Sequence, residues 1–372
     1  MNYFRFFFVL LTLSLFGSAC STHPPFDRVE NEKTDLVDTF NLNEAGFEKF
    51  KVTTPSPSPT PAVNTAAASV TTAPAEMILP QKGTKKRKKF QKESLTKAPT
   101  SSGLSPAVPP IVSVDQQPKD YPEAIKNYDS IYRKYWENYK PMINVGEQFI
   151  FKASYLGVTA GFIEMTTMDD ASVAGKDVFH ISGHLTSAEY YRYVYTVDDR
   201  IDTFIDKKTF TPLKYTLIQR ESGQKVDDLQ LFDRDNYKSH FWYKRVKKDA
   251  TKTDQKSEYI PRFFQDSFSA LHFIRGFPLK IGDYYEFPVY TRGKIWVLKL
   301  WVEGEEEVST NGKNYKALRI RAQTHFPGVL KANDDIFFWF SFDADKIPLK
   351  FKAKVKIGSI AGDLVKYTPG RK

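Results

Sequence analysis

Leu349-Lys350-Phe351-Lys352-Ala353-Lys354-Val355-Lys356-Ile357 alternates apolar residues with lysines without a break. Successive side chains of a strand point to opposite faces, so this period of two puts one face in a core and the other in water. Phe149, Phe151 and Ala153 repeat the pattern against Gln148, Ile150 and Lys152, and Ile295 to Glu303 is apolar on both faces. Turn signals separate such runs: Leu156-Gly157, Ala174-Gly175-Lys176-Asp177, Ser222-Gly223, Arg292-Gly293, Asn311-Gly312 and Pro327-Gly328. They predict about a dozen strands. Short links between successive strands require antiparallel pairing.

One helix interrupts the strands. Asp266 caps it, Phe268, Leu271 and Ile274 form an apolar stripe, and Gly276 and Pro278 close it. A lone apolar helix amid strands needs a surface to cover. The expectation is a large curved antiparallel sheet, or a partly open β-barrel, with this helix on its concave face. A second, amphipathic helix precedes the sheet over 121–141. Asp120-Tyr121-Pro122-Glu123 reads as its start, and Ile125, Tyr128, Tyr132, Tyr135, Trp136 and Tyr139 recur at helical spacing. Such a stripe packs on the edge of a domain more often than it binds a ligand.

The β-rich part spans 142–372, and composition sets it apart. Of 55 aromatic residues, 44 fall in 121–372 and only 5 in 21–120. The stretch 21–120 therefore lacks the apolar surface needed to offset the entropy of ordering. Thr53 to Ala75 is almost wholly Pro, Ser, Thr and Ala. Residues 20–120 read as a disordered tether with an r.m.s. reach of roughly 50–60 Å. The formal charge of +10 divides as +3 before residue 121 and +7 after it. That mild bias excludes a dedicated nucleic-acid binder.

At the start of the chain a basic Arg5 precedes an apolar run from Phe6 to Phe16, then Gly17, Ser18, Ala19 and Cys20. This is the pattern of a signal peptide over 1–19. Cys20 is the only cysteine, which rules out a disulfide within the chain and a cysteine-rich metal site. Its position resembles the lipidated cysteine of bacterial lipoproteins, although those usually carry Leu where Gly17 stands. The alternative is an ordinary signal with an incidental Cys. Lipidation implies a permanent membrane anchor, because several acyl chains hold where one does not. Ser21, where an inner-membrane lipoprotein of the usual kind carries Asp, points to the outer membrane with the domain facing the periplasm.

Three groups of residues carry a further resemblance. Gly146-Glu147-Gln148-Phe149 leads a strand and is followed by Gly157 and Gly161. Asp266-Ser267-Phe268-Ser269-Ala270-Leu271 is followed by Arg275. Asp343-Ala344-Asp345-Lys346-Ile347-Pro348-Leu349-Lys350 lies near the end. Together they resemble the bacterial envelope family called domain of unknown function 3108, over about residues 145–368. The resemblance implies export and a β-rich fold. It implies no established activity and carries over no catalytic residue. Physically, Gly157 and Gly161 read as bracketing a tight link, and Asp345 to Pro348 as a turn. Arg275 either bonds the last carbonyls of its helix or pairs with Asp266 or an anionic ligand.

No nucleophile motif, phosphate loop or cofactor motif is present. No cofactor is expected, and an enzyme is not. His180 and His184, on one strand, stand about 13 Å apart, too far to share a metal. Glu303, Glu305, Glu306 and Glu307 read as a solvated hairpin tip at Gly304.

Two sets of residues are candidates for binding. Tyr191, Tyr193, Tyr195, Trp296, Trp301, Phe268 and Leu271 are candidates for an apolar groove. Lys350, Lys352, Lys354, Lys356, Arg319 and Arg321 form a candidate basic strip for an anionic envelope polymer, with Lys85, Lys86, Arg87, Lys88 and Lys89 in the tether. The bland readings are ordinary packing for the first and a solvated face for the second. Three functions stay open: a tethered module binding a lipid, another apolar ligand or an envelope protein; a structural protein docking on a polymer; and an unrecognised hydrolase.

Overall fold

A computed structural model describes residues 35–54, 117–137, 139–248, 250–324, 335–354 and 358–371. The expectations for Cys20, for Lys85, Lys86, Arg87, Lys88 and Lys89, and for Lys356 lie outside these residues. Short helices come first: α1 (Leu36–Thr39), α2 (Ala45–Glu48), α3 (Glu123–Tyr132) and α4 (Lys134–Glu137). Then follow β1 (Gln148–Tyr155), β2 (Val158–Thr167), β3 (Ala171–Val173), β4 (Lys176–Ser187) and β5 (Val197–Asp206). A 3-10 turn (Glu189–Tyr193) links the last two. The chain continues through β6 (Pro212–Glu221), β7 (Gln224–Asp233), β8 (Lys238–Lys247) and β9 (Ala250–Tyr259) to α5 (Ser269–Arg275). It ends with β10 (Tyr284–Thr291), β11 (Lys294–Thr310), β12 (Lys313–Thr324), β13 (Ile336–Ser341), β14 (Pro348–Lys354) and β15 (Ser359–Thr368).

The architecture is mainly β, as expected: one open antiparallel sheet in the order β10-β11-β12-β13-β14-β15-β1-β2-β4-β5-β6-β7-β8-β9, with β3 added on β4. Two meanders meet where β15 pairs with β1. The turn residues explain the tight links. Leu156-Gly157, Ala174-Gly175, Arg292-Gly293 and Asn311-Gly312 all have positive φ at both positions, the conformation that matches strand twist in two-residue hairpins. Gly161 does not bracket a link as expected. It sits inside β2, where a Cβ would lie 2.1 Å from the Thr186 carbonyl oxygen, so close strand approach demands glycine there. The sheet curls until the β10–β11 tip meets the third strand in from its other edge: Arg292 Nε is 2.5 Å from Asp228 Oδ2 on β7.

Two apolar clusters fill the concave side, around Phe149, Phe151 and Leu185 and around Tyr215, Phe241 and Tyr290. A third lies on the convex side of β3–β7 and corrects the tether expectation. Residues 35–54 are folded against the sheet, with Leu36, Val37 and Phe50 buried among Val173, Val178, Phe204, Leu229 and Leu231. Thr53 and Ser172 form an antiparallel bridge. The buried Lys214 Nζ lies 2.6 Å from Asp35 Oδ2 and donates to the Phe50 carbonyl at 3.0 Å. This segment is a strap on the domain; residues 55–116 lie outside the described chain.

The amphipathic helix forms as α3 and α4, shorter than 121–141, and covers the edge strand β10 and α5. Trp136 lies 4.4 Å from Phe273 between ring centroids, and Tyr139 stacks on it at 4.2 Å. Asp120 does not cap. Pro122 holds that position, and Asp120 bonds the Tyr259 side chain instead.

Candidate functional site

α5 roofs the concave face. It starts at Ser269, three residues later than expected, but Asp266 does its capping work. Asp266 Oδ1 accepts from the backbone of Phe268 and of Ser269, each at 2.7 Å, and Thr203 on β5 donates to Oδ2. Burial pushes the Asp266 carboxyl up to about 6. Gly183 on β4 lets the roof approach: a Cβ there would stand 2.8 Å from Phe268 Cζ.

The other end of α5 is locked. Arg275 forks onto Glu147 at 2.7 and 2.8 Å, with both side chains buried. Its guanidinium also donates to the carbonyls of Asp345 and Lys346, and Tyr367 donates to Glu147. Lys346 Nζ returns a bond to the Arg275 carbonyl at 3.1 Å. Asp343 Oδ1 accepts from the backbone of Asp345 and Lys346, tightening that turn. Of the two expectations for Arg275, neither is the main contact. The guanidinium reaches across the fold to Glu147, and the three motif groups of the sequence meet in this one lock.

Between roof and sheet lies a cavity of about 150 Å³. Its floor is Phe151, Ile163, Met165, Leu185, Ile201 and Leu217; its roof is Phe268, Leu271 and Ile274; Pro348 and Phe351 close one wall. An apolar space of this size holds a small aromatic ring or a short stretch of alkyl chain. Asp199 also touches it. Asp199 and Glu221 share the Gln219 side-chain amide at 3.1 and 3.0 Å, and Tyr195 donates to Glu221 at 2.7 Å. Burial and the Glu221 charge push Asp199 up to about 8, so the Asp199–Glu221 pair retains a proton at neutral pH.

The expected groove residues separate. Phe268 and Leu271 line the cavity. Tyr195 packs beside it. Tyr191 and Tyr193 lie on the 3-10 turn at the rim, with Tyr193 93% exposed. Trp301 lies beneath the Arg321 guanidinium, and Trp296 stands opposite Val289 on β10; neither lines the cavity. Aromatic count had grouped residues that strand register scatters. Asp199, Gln219 and Glu221 carried no local signal, because their meeting depends on the β5–β6 register.

Arg319 and Arg321 do lie on a strand neighbouring the one that neighbours β14, but acids accompany them. Arg319 pairs with Glu303 and Glu306, Arg321 with Glu303, and Lys350 with Asp363. Those glutamates sit within β11 at a bulge, not at a hairpin tip. Lys352 and Lys354 face outward on β14 with no ion pair among the described residues. His180 and His184 sit on β4 as expected, each taking an aspartate of β5: Asp202 at 2.8 Å and Asp198 at 2.7 Å.

The model of a protein family of unknown function, DUF3108, matches residues 150–365, more than half of the chain. The chain belongs to the DUF3108 family. The match covers the sheet, α5 and both edge strands, and it confirms the resemblance read from the motifs. No curated protein matches this DUF3108 chain. Among solved structures it is similar to a β-barrel-like DUF1849 protein from Brucella abortus, with 11% identity and a TM-score of 0.38 over 60% of this chain and 97% of that one. A candidate exported protein with a YmcC-like fold from Bacteroides fragilis gives 10% identity and 0.25 over 62% and 99%. A candidate lipoprotein from Parabacteroides distasonis gives 8% and 0.27 over 61% and 96%.

Proposed function

We propose that this DUF3108 protein is an envelope lipoprotein, anchored through Cys20, whose β-domain binds an apolar ligand, or an apolar segment of a partner, beneath α5. The outer membrane, with the domain in the periplasm, is the location that Ser21 supports. The cavity carries the reading. Well-packed cores leave few voids larger than a water molecule, and this one has an apolar floor and a roof fixed at both ends. A roof held by Asp266 and Arg275 keeps the space open when it is empty, which lowers the cost of binding. The polymer-docking alternative has less support, because Arg319, Arg321 and Lys350 already face carboxylates.

The test is mass spectrometry of protein extracted from its native membrane, alongside Leu271→Trp, which fills the cavity. The wild type should carry one class of apolar molecule above the bulk lipid background, and the variant should lose it while melting as a folded protein. Equal, unselective lipid on both would overturn the cavity reading. Cys20→Ser should abolish labelling by a fatty-acid analogue; labelling that persists would overturn the anchor.

A further inference from the structure

Six of the large apolar side chains that stand exposed lie in one neighbourhood: Leu156, Val158, Phe162, Tyr190, Tyr193 and Val194. They come from the β1–β2 turn, the start of β2 and the 3-10 turn. The structure holds these pieces together. Ala188 N donates to the Ala160 carbonyl at 2.9 Å, the Tyr190 hydroxyl donates to the Thr159 carbonyl, and Leu156 N donates to Ser359. Scattered exposed apolar residues need no explanation, but a contiguous patch marks an interaction surface.

We infer that this rim is the face with which the domain docks on an anionic lipid bilayer. Three features on the molecule select lipid as the occupant. Tyrosines beside aliphatic residues suit the headgroup boundary, where a ring stays apolar and its hydroxyl wet. Cations suited to anionic headgroups stand at the rim: exposed Arg192 lies within the patch beside Glu189, Lys354 stands opposite Ser359, and Lys152 stands between Phe162 and Asp363, whose carboxylate is already held by Lys350. The third feature is reach. Fifteen peptide steps separate Cys20 from Asp35, which docks at Lys214, and they span at most about 50 Å. From Lys214 to the rim end of β6 at Glu221 is about 23 Å of strand. An anchor at Cys20 therefore allows the rim to lie on the membrane that holds it. The inference rests on the tethered reading for this geometry alone.

The experiment couples the full chain through the Cys20 thiol to a maleimide-bearing lipid, in vesicles of phosphatidylethanolamine and phosphatidylglycerol. A benzoylphenylalanine photo-crosslinker replaces Tyr193, or Lys313 at the opposite end of the sheet. Because the tether is made chemically, natural lipidation is judged separately, from the acyl mass on protein taken from native membranes. Position 193 should crosslink to lipid at least tenfold more than position 313, and Leu156→Asp with Val194→Asp should remove the difference. Equal crosslinking at both positions, or crosslinks from 193 to a second copy of the chain, would overturn the inference.

Discussion

The convex side of the sheet is finished in two ways. Over β3–β8 it is apolar and covered: Val178, Phe204, Leu229 and Leu231 lie under the strap, and Phe47 packs edge-on against His240 and Trp242. Over β11–β14 no further segment among the described residues lies on it, and its cations lie on rings: Arg321 on Trp301 at 4.1 Å, Arg319 on Phe337 at 4.5 Å, Lys350 on Trp339 at 5.9 Å. A strand apolar on both faces needs cover on each side: the strap supplies it for β7, and the stems of Arg319, Arg321 and Lys350 supply it for the outer rings of β11 and β13, while β14 with its alternating lysines needs one layer only. The same concave cavity is thus backed by a three-layered half and a two-layered half.

The largest effect should come from the lock that joins the halves. Arg275→Ala leaves Glu147 buried without its partner and should cost about 3–5 kcal/mol in chemical denaturation. A loss below about 1 kcal/mol would mean that the roof does not tie the two halves. Next is the strap. Phe50→Ala empties a fully buried site on the covered side and should cost about 3 kcal/mol. On the two-layered side, Arg319→Ala removes only half-exposed ion pairs and should cost under about 1 kcal/mol. Equal costs for these two substitutions would erase the contrast between the faces.

A pH titration sharpens the picture of the interior. Asp129 and Asp266 are held up at about 6 and Asp199 at about 8, each first of all by burial, against an ordinary value of 3.8. The folded state then binds more protons than the unfolded chain between pH 4 and 8. These groups' contribution to stability is full below pH 4 and is lost as pH rises through 6 and then 8. Asp199→Asn should flatten the decline between pH 6 and 8, where Asp199 acts alone, and make it about a third shallower between pH 4 and 6, where all three groups act. An unchanged slope in thermal melts across pH 6–8 would remove Asp199 from the account.

The sequence made the two-layered half legible. Leu349 to Lys354 is a strand with one wet face, and its lysines say so. The roof was legible too, because Phe268, Leu271 and Ile274 could not stay in water. The covered half was readable in principle: on β7, Val226 and Phe232 fall on one face and Leu229 and Leu231 on the other, which asks for a second layer. The strap that answers it was hidden by averaging. Three of the five aromatics of 21–120 fall at Phe40, Phe47 and Phe50, diluted by the Pro- and Ala-rich sequence that follows. The carboxyl pair Asp199 and Glu221 was not readable at all, because a register of hydrogen bonds between β5 and β6 brings it together.

Hydrogen exchange of the full chain tests the two-layered and three-layered halves most directly. Amides that bond within the strap and to the sheet, such as Phe40, Phe50 and Thr53, should exchange as slowly as those of β7 and should be released together by Phe50→Ala. Exchange of residues 36–53 at the rate of an unstructured peptide, with β7 still protected, would contradict the account.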